Sequence, residues 1–512
     1  MADNALPRRA AHAPCPACLV IPSPHALEAL QQRHGPNYRW WVLVTVMIGT
    51  MASIMSSTIV NVAVPDMSRV FTLGQERAQW LAAGFMAAMT VSMLTTPWLL
   101  SRFGYRHTYA GVTLLLMFGG IGGGLARSFE WVLAMRVAEG LAAGIMQPIP
   151  AIIIMRAFQP HEQGRAMGVF GMGVVLAPAI GPSIGGVLVE HLGWRSIFFA
   201  VVPLCLAALA MARRYLPTSA PGGGPANAAG VRLDHLGLGL IAVTIVALLN
   251  GMVQLHGAAD ASGVPLQGVA LLALAALALA VFLVRQRRAA QPLLDLALFR
   301  HPTFVMAGCV AFIYGMALFG STYLVPVFMQ DALRLPPSQA GAVLLPAGFV
   351  LAAVIPVAGR LADRLPIHWL VTAGLLLLAL SFALMLGVDL GTSLWIITLW
   401  AAVGRVGLGC VLPSLNLGAM RGLEPELISQ GSSAINFLRQ LGGAVGVSLI
   451  GIFLEWRLRV HGAGLAAQGE AAKQVPAFHE AFVLVAFLTA AASLAAWRMR
   501  PPAPREAGLH SS

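Results

Sequence analysis

Long apolar stretches dominate the sequence, and each is separated from the next by a short polar segment. A helix that spans a bilayer needs about 20 consecutive apolar residues. Only 10% of the residues are charged, whereas soluble proteins carry about 25%. Stretches of spanning length occur at 42–64, 79–100, 107–126, 130–155, 165–189, 194–214, 235–254, 265–284, 303–328, 338–359, 367–387, 393–417, 433–454 and 478–497. The sequence therefore predicts an all-α integral membrane protein with fourteen transmembrane helices.

The basic residues predict which side of the membrane each loop faces. Lys and Arg concentrate before the first helix, after the last, and in alternate loops between them. By the positive-inside rule those segments face the cytoplasm. We therefore expect a multi-pass protein of the cell inner membrane with both termini cytoplasmic. The net charge of +12 comes from these dispersed residues, so no patch for a nucleic acid is expected.

Loop composition and an internal repeat predict the domain organisation. A Gly/Pro/Ala-rich linker follows the sixth helix, and the short basic turns at 97–106 and 359–366 resemble each other. Two related bundles with a substrate site between them are typical of secondary transporters. The predicted segments are a tail at 1–40, a six-helix bundle at 41–215, the linker at 216–234, two extra transmembrane helices at 235–286, a second six-helix bundle at 287–498 and a tail at 499–512.

Six motifs carry a family resemblance. They are T-I-V-N-V-A-V-P at 58–65, R-V-A-E-G at 136–140, A-P-A-I-G-P-S-I-G-G at 177–186, W-R-S-I-F-F at 194–199, P-L-L-D-L at 292–296 and N-F-L-R-Q-L-G-G at 436–443. In this order they make the chain resemble the major facilitator superfamily, and within it the 14-helix drug:proton antiporter branch of EmrB/QacA type. The resemblance implies the major facilitator fold and a secondary transporter that exports small hydrophobic compounds in exchange for protons.

The fifth helix holds the most informative of these motifs. Pro178 and Pro182 each remove a backbone hydrogen bond and kink the helix. Gly181, Gly185 and Gly186 present a bare face on which a neighbouring helix can pack closely. Ordinary packing of a membrane helix is the alternative interpretation. The resemblance implies that the stretch is the antiporter signature of the family.

The two basic turns are candidates for a cytoplasmic gate. The gating candidates are Arg102, Arg106, Gly359, Asp363 and Arg364. The resemblance implies that such turns lock the gate. The first turn departs from the family pattern, since Pro97 and Ser101 stand where the family has Gly and an acidic residue. Asp363 in the second turn is predicted to pair with a nearby arginine when that side closes, unless both turns serve only topology.

Four charged residues fall within predicted helices, namely Arg136, Glu139, Arg405 and Arg439. Burying such groups in lipid costs several kcal/mol, which makes them functional candidates. Arg136 and Glu139 lie three residues apart and so share a helix face on which they can pair. Structural ion pairs or arginines that reach toward the membrane surface are the alternative.

Two residues that bear on proton coupling differ from the pattern of the family. The family commonly carries an Asp where this chain has Ser56, and a Gln where it has Glu139. A serine carries no proton at ordinary pH. We hypothesise that Glu139 has taken over the coupling role, while burial and the nearby Arg136 act on its proton affinity in opposite directions.

Candidate substrate residues follow from their placement on helices that would line a central cavity. They are Asn61, Met146, Gln147, Tyr314, Tyr323, Phe328 and Asn436. Plain packing explains each of them equally well. A cavity with apolar, aromatic and Met side chains would suit hydrophobic organic compounds.

Several motifs of other protein classes do not occur. The sequence has no G-x-x-x-x-G-K-[ST] phosphate loop and no H-E-x-x-H motif, so we expect neither an enzyme nor a cofactor. Cys15 and Cys18 form a C-x-x-C with His12 and His25 nearby, but a metal site would need four closely spaced ligands. No metal site is therefore predicted.

The expected partners are the lipid bilayer, protons and small hydrophobic substrates. Resemblance to EmrB-like members implies a periplasmic adaptor protein and an outer-membrane channel as well, with the predicted outward loop 455–477 as the contact. An exporter of a specific metabolite, lipid or siderophore is the first alternative. A membrane scaffold or sensor that transports nothing is the second.

Overall fold

The computed structural model describes residues 27–35, 37–72, 74–219, 232–257, 266–462 and 471–500. Regular structure within these ranges is helical, and no strand occurs among them. A short helix, Leu27–His34, precedes the first long one. The prediction of an all-α fold is confirmed.

The long helices are numbered α1 to α14 in chain order. The first six are α1 Tyr38–Val70, α2 and α3, α4 Phe129–Met146 with Ile149–Ala157, α5 Gln163–Leu192, and α6 Ser196–Phe199 with Val202–Tyr215. α2 and α3 together comprise Gln75–Ser92, the 3-10 turn Met93–Thr95 and Thr96–Gly124, and the boundary between them is Gly104. The next two are α7 His235–Gly257 and α8 Leu266–Arg288. The last six are α9 Pro302–Val327, α10 Pro337–Ala362, α11 Ile367–Leu384, α12 Leu394–Met420, α13 Ile428–Val460 and α14 Ala471–Trp497.

The α2–α3 segment explains why thirteen apolar segments in the described part of the chain correspond to fourteen helices. Thirteen segments among the described residues are long and apolar enough to cross a membrane, and one of them, Arg77–Gly124, has 48 residues. As one straight helix it would measure about 72 Å, more than twice the roughly 30 Å hydrocarbon core. Gly104 breaks it with a φ of 71°, a conformation that glycine adopts readily. The Thr108 hydroxyl then donates to the Leu99 carbonyl at 2.9 Å, so the chain reverses there and forms two helices.

Several helices extend beyond the apolar runs that predicted them. α1 continues to Val70, α13 continues to Val460, and α14 begins at Ala471. Charged and polar side chains at helix ends allow this because they reach water while the backbone stays helical. The predicted loop 455–477 therefore shortens to 461–470, of which 463–470 lie outside the described residues.

Packing groups the first six and the last six helices. α4 packs on α2 and α3, and α1 packs on α5; in the second group α13 packs on α9 and α12 on α10 and α11. Large apolar side chains such as Trp395 and Leu494 are 77% and 71% exposed, as expected where lipid covers the surface. We call α1–α6 the first half and α9–α14 the second half. The predicted domain boundaries themselves stay a prediction.

The two extra helices form a hairpin beside both halves. α7 packs on α8 and contacts α2 and α13. Asp234 anchors the base of this hairpin, since its carboxylate accepts hydrogen bonds from the Gly237 N–H at 2.9 Å, Arg285 at 2.7 Å and Gln286 at 3.0 Å. Burial opposes the charged form, but these hydrogen bonds outweigh it and hold the pKa of Asp234 below its usual range. The carboxylate therefore stays ionised and ties α7 to α8.

The two halves meet along α5 and α10. Gly359 of α10 lies so close to α5 that a Cβ there would stand 2.7 Å from the Gly168 Cα and closer still to the Gly164 carbonyl. Only glycines permit such a backbone approach. We call the side of the membrane on which α1 begins at Tyr38 and α14 ends at Trp497 the terminal side. This contact lies on the terminal side, and it positions the charged groups described next.

Candidate functional site

Arg136 on α4 forms the centre of a buried polar cluster in the first half. Its side chain is 0% exposed. The guanidinium donates to the Leu81 carbonyl at 3.3 Å, the Ser56 carbonyl at 3.1 Å and the Ser56 hydroxyl at 3.0 Å. It also lies over the Phe85 ring at 4.3 Å from the centroid, a favourable cation–π position. Arg136 therefore joins α1, α2 and α4.

Glu139 completes the cluster. Its Oε2 accepts from Arg136 at 2.7 Å, and the carboxylate is 1% exposed. The other oxygen, Oε1, is buried without a hydrogen-bond partner. Space for this side chain comes from α3, where a Cβ at Gly119 would stand 2.5 Å from the Glu139 Cγ. A buried carboxylate with a free oxygen is a group that can take up a proton without breaking its contact to Arg136.

The position of Ser56 is the informative part of this geometry. Ser56 on α1 and Glu139 on α4 contact the same nitrogen of Arg136. A carboxylate at position 56 would therefore face the guanidinium that Glu139 faces now. If the family pattern implied by the resemblance, an Asp at 56 and a Gln at 139, is the reference, this chain keeps one carboxylate at the same guanidinium.

Arg405 occupies a comparable place on α12 in the second half. Arg405 lies near the middle of α12. The residue three positions after it is Leu408, whereas the residue three positions after Arg136 is the acid Glu139. Arg405 lines a small cavity of about 20 Å³ with Ser321, Ser381 and other residues of α9 to α12. The Tyr314 hydroxyl donates to the Leu408 carbonyl at 3.3 Å. Tyr314 and Arg405 are close enough to interact electrostatically.

Arg439 on α13 lies where the two halves meet. Its guanidinium donates to the Asn436 side-chain oxygen at 2.8 Å and to that of Gln147 on α4 at 3.4 Å. The same three residues line a cavity of about 20 Å³ between the halves, and its other lining residues are Ala151, Met167, Phe170, Gly171, Val174, Leu412, Pro413 and Asn416. We call this the central cavity. It is mostly apolar with four polar side chains, as small-molecule sites usually are.

The structure brings only some of the predicted substrate residues to the central cavity. Gln147 and Asn436 line it, whereas Met146 is fully buried in the first half beside it. Asn61 is exposed and Tyr323 is half-buried on other helices. Phe328 packs against Phe478 and Phe482 of α14, away from this cavity. Substrate contact by any of them stays a prediction.

Asn416, Met167 and Phe170 line the central cavity and were missed by the sequence reasoning. Met167 and Phe170 lie in an apolar run whose members look alike in sequence. Asn416 offered a signal, because a polar amide in the apolar run of α12 is a residue that membrane helices rarely carry without a partner or a role. The break of α4 at Gln147 and Pro148 was a second signal for this position.

The second gating turn joins the two halves on the terminal side. Asp363 accepts hydrogen bonds from the backbone N–H groups of Gly164 at 2.6 Å and Arg165 at 2.8 Å. It thereby caps the first turn of α5, where the helix dipole favours a negative charge. The sequence analysis expected an arginine side chain as its partner, and the main contact is instead backbone. Arg421, beyond α12, adds a bond to the Pro160 carbonyl at 3.2 Å. Gly359 lies in the contact between α5 and α10, and Arg364 is exposed beside it.

The first gating turn makes different contacts. Ser101 donates to the Trp98 carbonyl of its own helix at 2.9 Å. The Arg106 N–H donates to the Pro217 carbonyl at 3.1 Å, and Arg102 is half-exposed. A cavity of about 240 Å³ separates Ser101 from Ser429 and Gln430 at the start of α13. The acid that could have capped α13 is absent, so this turn lacks the contact that Asp363 makes at α5.

The glycines of the α5 motif face different surroundings. A Cβ at Gly181 would stand 2.8 Å from the Thr58 hydroxyl oxygen, and one at Gly185 would stand 2.7 Å from Ile59 Cγ1. Gly186 has nothing within 4 Å. Pro178 is half-buried and Pro182 is exposed in the same helix. The motif therefore packs α5 on α1 through Gly181 and Gly185.

Substitution of these glycines tests whether the motif packs α5 on α1. Gly185→Ala is expected to lower export several-fold and to lower the melting temperature in detergent, because the added methyl group collides with the stiff Ile59 side chain. Gly186→Ala is the matched control and is expected to leave both unchanged. Dye efflux from cells and thermal unfolding of the purified protein measure the two effects. Equal effects of both substitutions would contradict the packing role.

Among the described residues, no group of three or more His, Cys, Asp or Glu side chains could hold a metal ion. Cys15 and Cys18 lie outside the described residues. The cysteines of the described ranges are free thiols at positions 205, 309 and 410.

Comparison with known proteins decides the family. The family model described as Major Facilitator Superfamily matches residues 46–447. The chain belongs to the Major Facilitator Superfamily. Its members are membrane transporters and not enzymes, which agrees with the helical architecture. The predicted family and fold are thereby confirmed.

Individual relatives of this superfamily chain point the same way. The Multidrug resistance protein B homolog of Mycobacterium tuberculosis (strain ATCC 25618 / H37Rv) is 29% identical over 432 residues, covering 81% of this chain and 77% of that protein. The Lincomycin resistance protein LmrB of Bacillus subtilis (strain 168) is 26% identical over 408 residues, covering 80% and 84%. The structure of the human organic anion transporter MFSD10 (TETRAN) has a TM-score of 0.60 at 16% identity and covers 89% of this chain and 100% of that one. That last likeness concerns the fold alone.

Proposed function

We propose that this transporter exports small hydrophobic compounds across the inner membrane in exchange for protons. The observation that carries the proposal is Glu139, a carboxylate 1% exposed within a membrane helix, with one oxygen on Arg136 and the other unpaired. A structural ion pair would satisfy both oxygens, because an unpaired buried polar atom costs free energy. A site that alternates between protonated and ionised forms needs such an oxygen free.

The names of the relatives support the choice of substrate. Two of them are described as multidrug or lincomycin resistance proteins. The central cavity, with Met167, Phe170 and Leu412 among its lining residues, has the apolar surface that hydrophobic compounds need. Export follows if the terminal side is cytoplasmic, as the distribution of basic residues predicts.

The terminal-side contacts support alternating access. Three contacts join the halves there. Asp363 accepts a hydrogen bond from the Gly164 N–H at the start of α5, and Arg421 donates to the Pro160 carbonyl. The Ser432 hydroxyl donates to the Pro148 carbonyl at 2.9 Å. These contacts must break for substrate to reach the central cavity from the terminal side. We propose that Glu139 takes up a proton while these contacts are formed and releases it to the terminal side after they break, once in each transport cycle.

Efflux from inside-out vesicles tests the proposed function. Vesicles that contain the protein are expected to accumulate dyes from a hydrophobic panel when an acid-inside pH gradient is imposed. Accumulation should collapse when a protonophore removes the gradient, and ATP alone should not restore it. Vesicles that carry an empty membrane provide the background. Gradient-independent accumulation would contradict proton antiport, and no accumulation of any dye would favour the scaffold or sensor alternative.

The adaptor protein and the outer-membrane channel remain part of the proposal. The segment that would meet an adaptor is the connection between α13 and α14, which the helix ends limit to 461–470. Replacement of 463–470 by a Gly/Ser linker is the direct test. Unchanged resistance in cells that depend on the transporter would rule out this segment as the contact.

A further inference from the structure

The six helices of the second half carry an unusual charge balance. Arg405 and Arg439 are the twelfth residues of α12 and α13, well inside both helices. No Asp or Glu occurs at 302–330, 337–362, 367–388, 390–423, 427–454 or 481–505, which include nearly all of these six helices. Two cations therefore lie in the membrane core of this half without an acidic residue at comparable depth.

In the first half, an acidic residue neutralises the buried arginine. Arg136 is the eighth residue of α4 and is fully buried, and Glu139 three residues later neutralises it at 2.7 Å. The corresponding spacing from Arg405 leads to Leu408, which offers only its backbone carbonyl, and the Tyr314 hydroxyl occupies that carbonyl at 3.3 Å. The helix position is similar, but the counter-charge is missing.

The surroundings of Arg405 contain no substitute for that charge. Within the described ranges its guanidinium makes neither a hydrogen bond nor an ion pair. Arg405 faces a cavity lined by side chains such as Ser321 and Ser381, which are neutral.

Arg439 is also bound only by neutral groups. Its two hydrogen bonds go to the amide oxygens of Asn436 and Gln147. Its Nε is buried and has no hydrogen-bond partner in the described structure. The donor borders the central cavity, where the walls are otherwise Asn416 and apolar side chains. A half-buried guanidinium whose buried Nε donor is unused, beside a cavity, is suited to an acceptor that arrives from outside the chain.

An uncompensated positive charge in the membrane core is costly, and an anion supplied by a ligand removes much of that cost. We propose that the central cavity takes amphipathic anions: a hydrophobic body with one carboxylate or comparable anionic group that pairs with Arg439. Arg405 raises the positive potential at the same depth and strengthens the preference. The inference rests on the proposed export of hydrophobic compounds and names their charge.

In this conformation the central cavity is too small for the whole ligand and has room for no more than one oxygen of its anionic group. About 20 Å³ is accessible, which is room for one water-sized group. The hydrophobic body needs the wider cavity that forms when the halves separate on one side. The anion can belong to a free amphipathic compound or to the headgroup of an anionic lipid, since both present the same chemistry to Arg439.

Equilibrium binding to the purified full-length protein tests the proposal. The probes are a dansyl-labelled long-chain carboxylic acid, its methyl ester and the corresponding amine, which share one hydrophobic body. The acid is expected to bind about tenfold or more tightly than the ester, at the lower end for a hydrogen bond to a charged group. Arg439→Gln should reduce the affinity for the acid to that for the ester and leave the ester unchanged. Arg405→Gln should lower the affinity for the acid by a smaller factor.

Controls separate charge from general damage. Arg213→Gln removes a positive charge from an exposed position and should change nothing. Arg439→Lys should retain part of the preference for the acid. In nanodiscs, displacement of the acid by phosphatidylglycerol but not by phosphatidylcholine identifies a lipid headgroup as the competing anion, and no displacement identifies a free compound.

The outcomes distinguish this inference from the function on which it rests. Equal affinity for acid and ester, or a preference that survives Arg439→Gln, overturns the inference even if vesicles still export neutral dyes. An arginine-dependent preference for the acid together with a lack of gradient-driven transport overturns the proposed function and leaves the anion site standing.

Discussion

Glu139→Gln is expected to abolish pH-gradient-driven export, and adding Ser56→Asp to that variant is expected to restore much of it. Glu139 and Ser56 contact the same Arg136 nitrogen, at 2.7 Å and 3.0 Å, so an aspartate at 56 returns a carboxylate to the site. Loss of a proton-transferring group typically lowers a rate by on the order of a hundredfold. The single variant should therefore approach background, whereas the double variant has the residue pair typical of the family.

Stability needs to be measured alongside transport. Removing one partner of a buried ion pair costs about 3–5 kcal/mol, so Glu139→Gln also lowers the melting temperature of the purified protein. The double variant regains the counter-charge and should regain stability together with transport. Glu130→Gln, on the same helix in a pair whose side chains are 63% and 71% exposed, is the matched control and should behave like the parent. If the double variant recovers stability but exports nothing, the relocated-carboxylate hypothesis is wrong.

Gly359→Val is expected to separate the two halves on the terminal side and to stop transport. A Cβ at this position would stand 2.7 Å from the Gly168 Cα, and backbone atoms cannot move aside as flexible side chains do. The terminal-side contact should therefore break, and the population should shift to a conformation that is open on that side. Spin labels on the exposed positions 161 and 365, in a background without other cysteines, should report a distance distribution moved to larger values.

A second variant reaches the same contact without adding bulk. Asp363→Ala removes the acceptor of the Gly164 and Arg165 N–H groups, so it should shift the same distance distribution in the same direction but less far. Gly341→Val is the control, because this glycine of α10 is exposed with open space around it. An unchanged distance distribution in Gly359→Val would contradict a gating role for the seam between α5 and α10.

The sequence alone determined most of the architecture. Apolar runs of spanning length need lipid to cover them, and this requirement holds without any knowledge of the neighbours of a helix. The pairing of Arg136 with Glu139 was equally accessible, because residues three apart on a helix face each other whatever surrounds them. Family motifs added the order of the helices and the class of transporter.

Tertiary structure decided everything that depends on contacts between distant segments. Ser56 and Arg136 are 80 residues apart, and no local periodicity shows that position 56 of α1 and Glu139 of α4 share one guanidinium. Likewise, the sequence offered an arginine as the partner of Asp363, but the packing of α10 on α5 brings it to backbone N–H groups. Packing also decides that Arg136 has an acidic partner and Arg439 has none. The fold determines which groups surround a charge, and the order of residues in the chain does not.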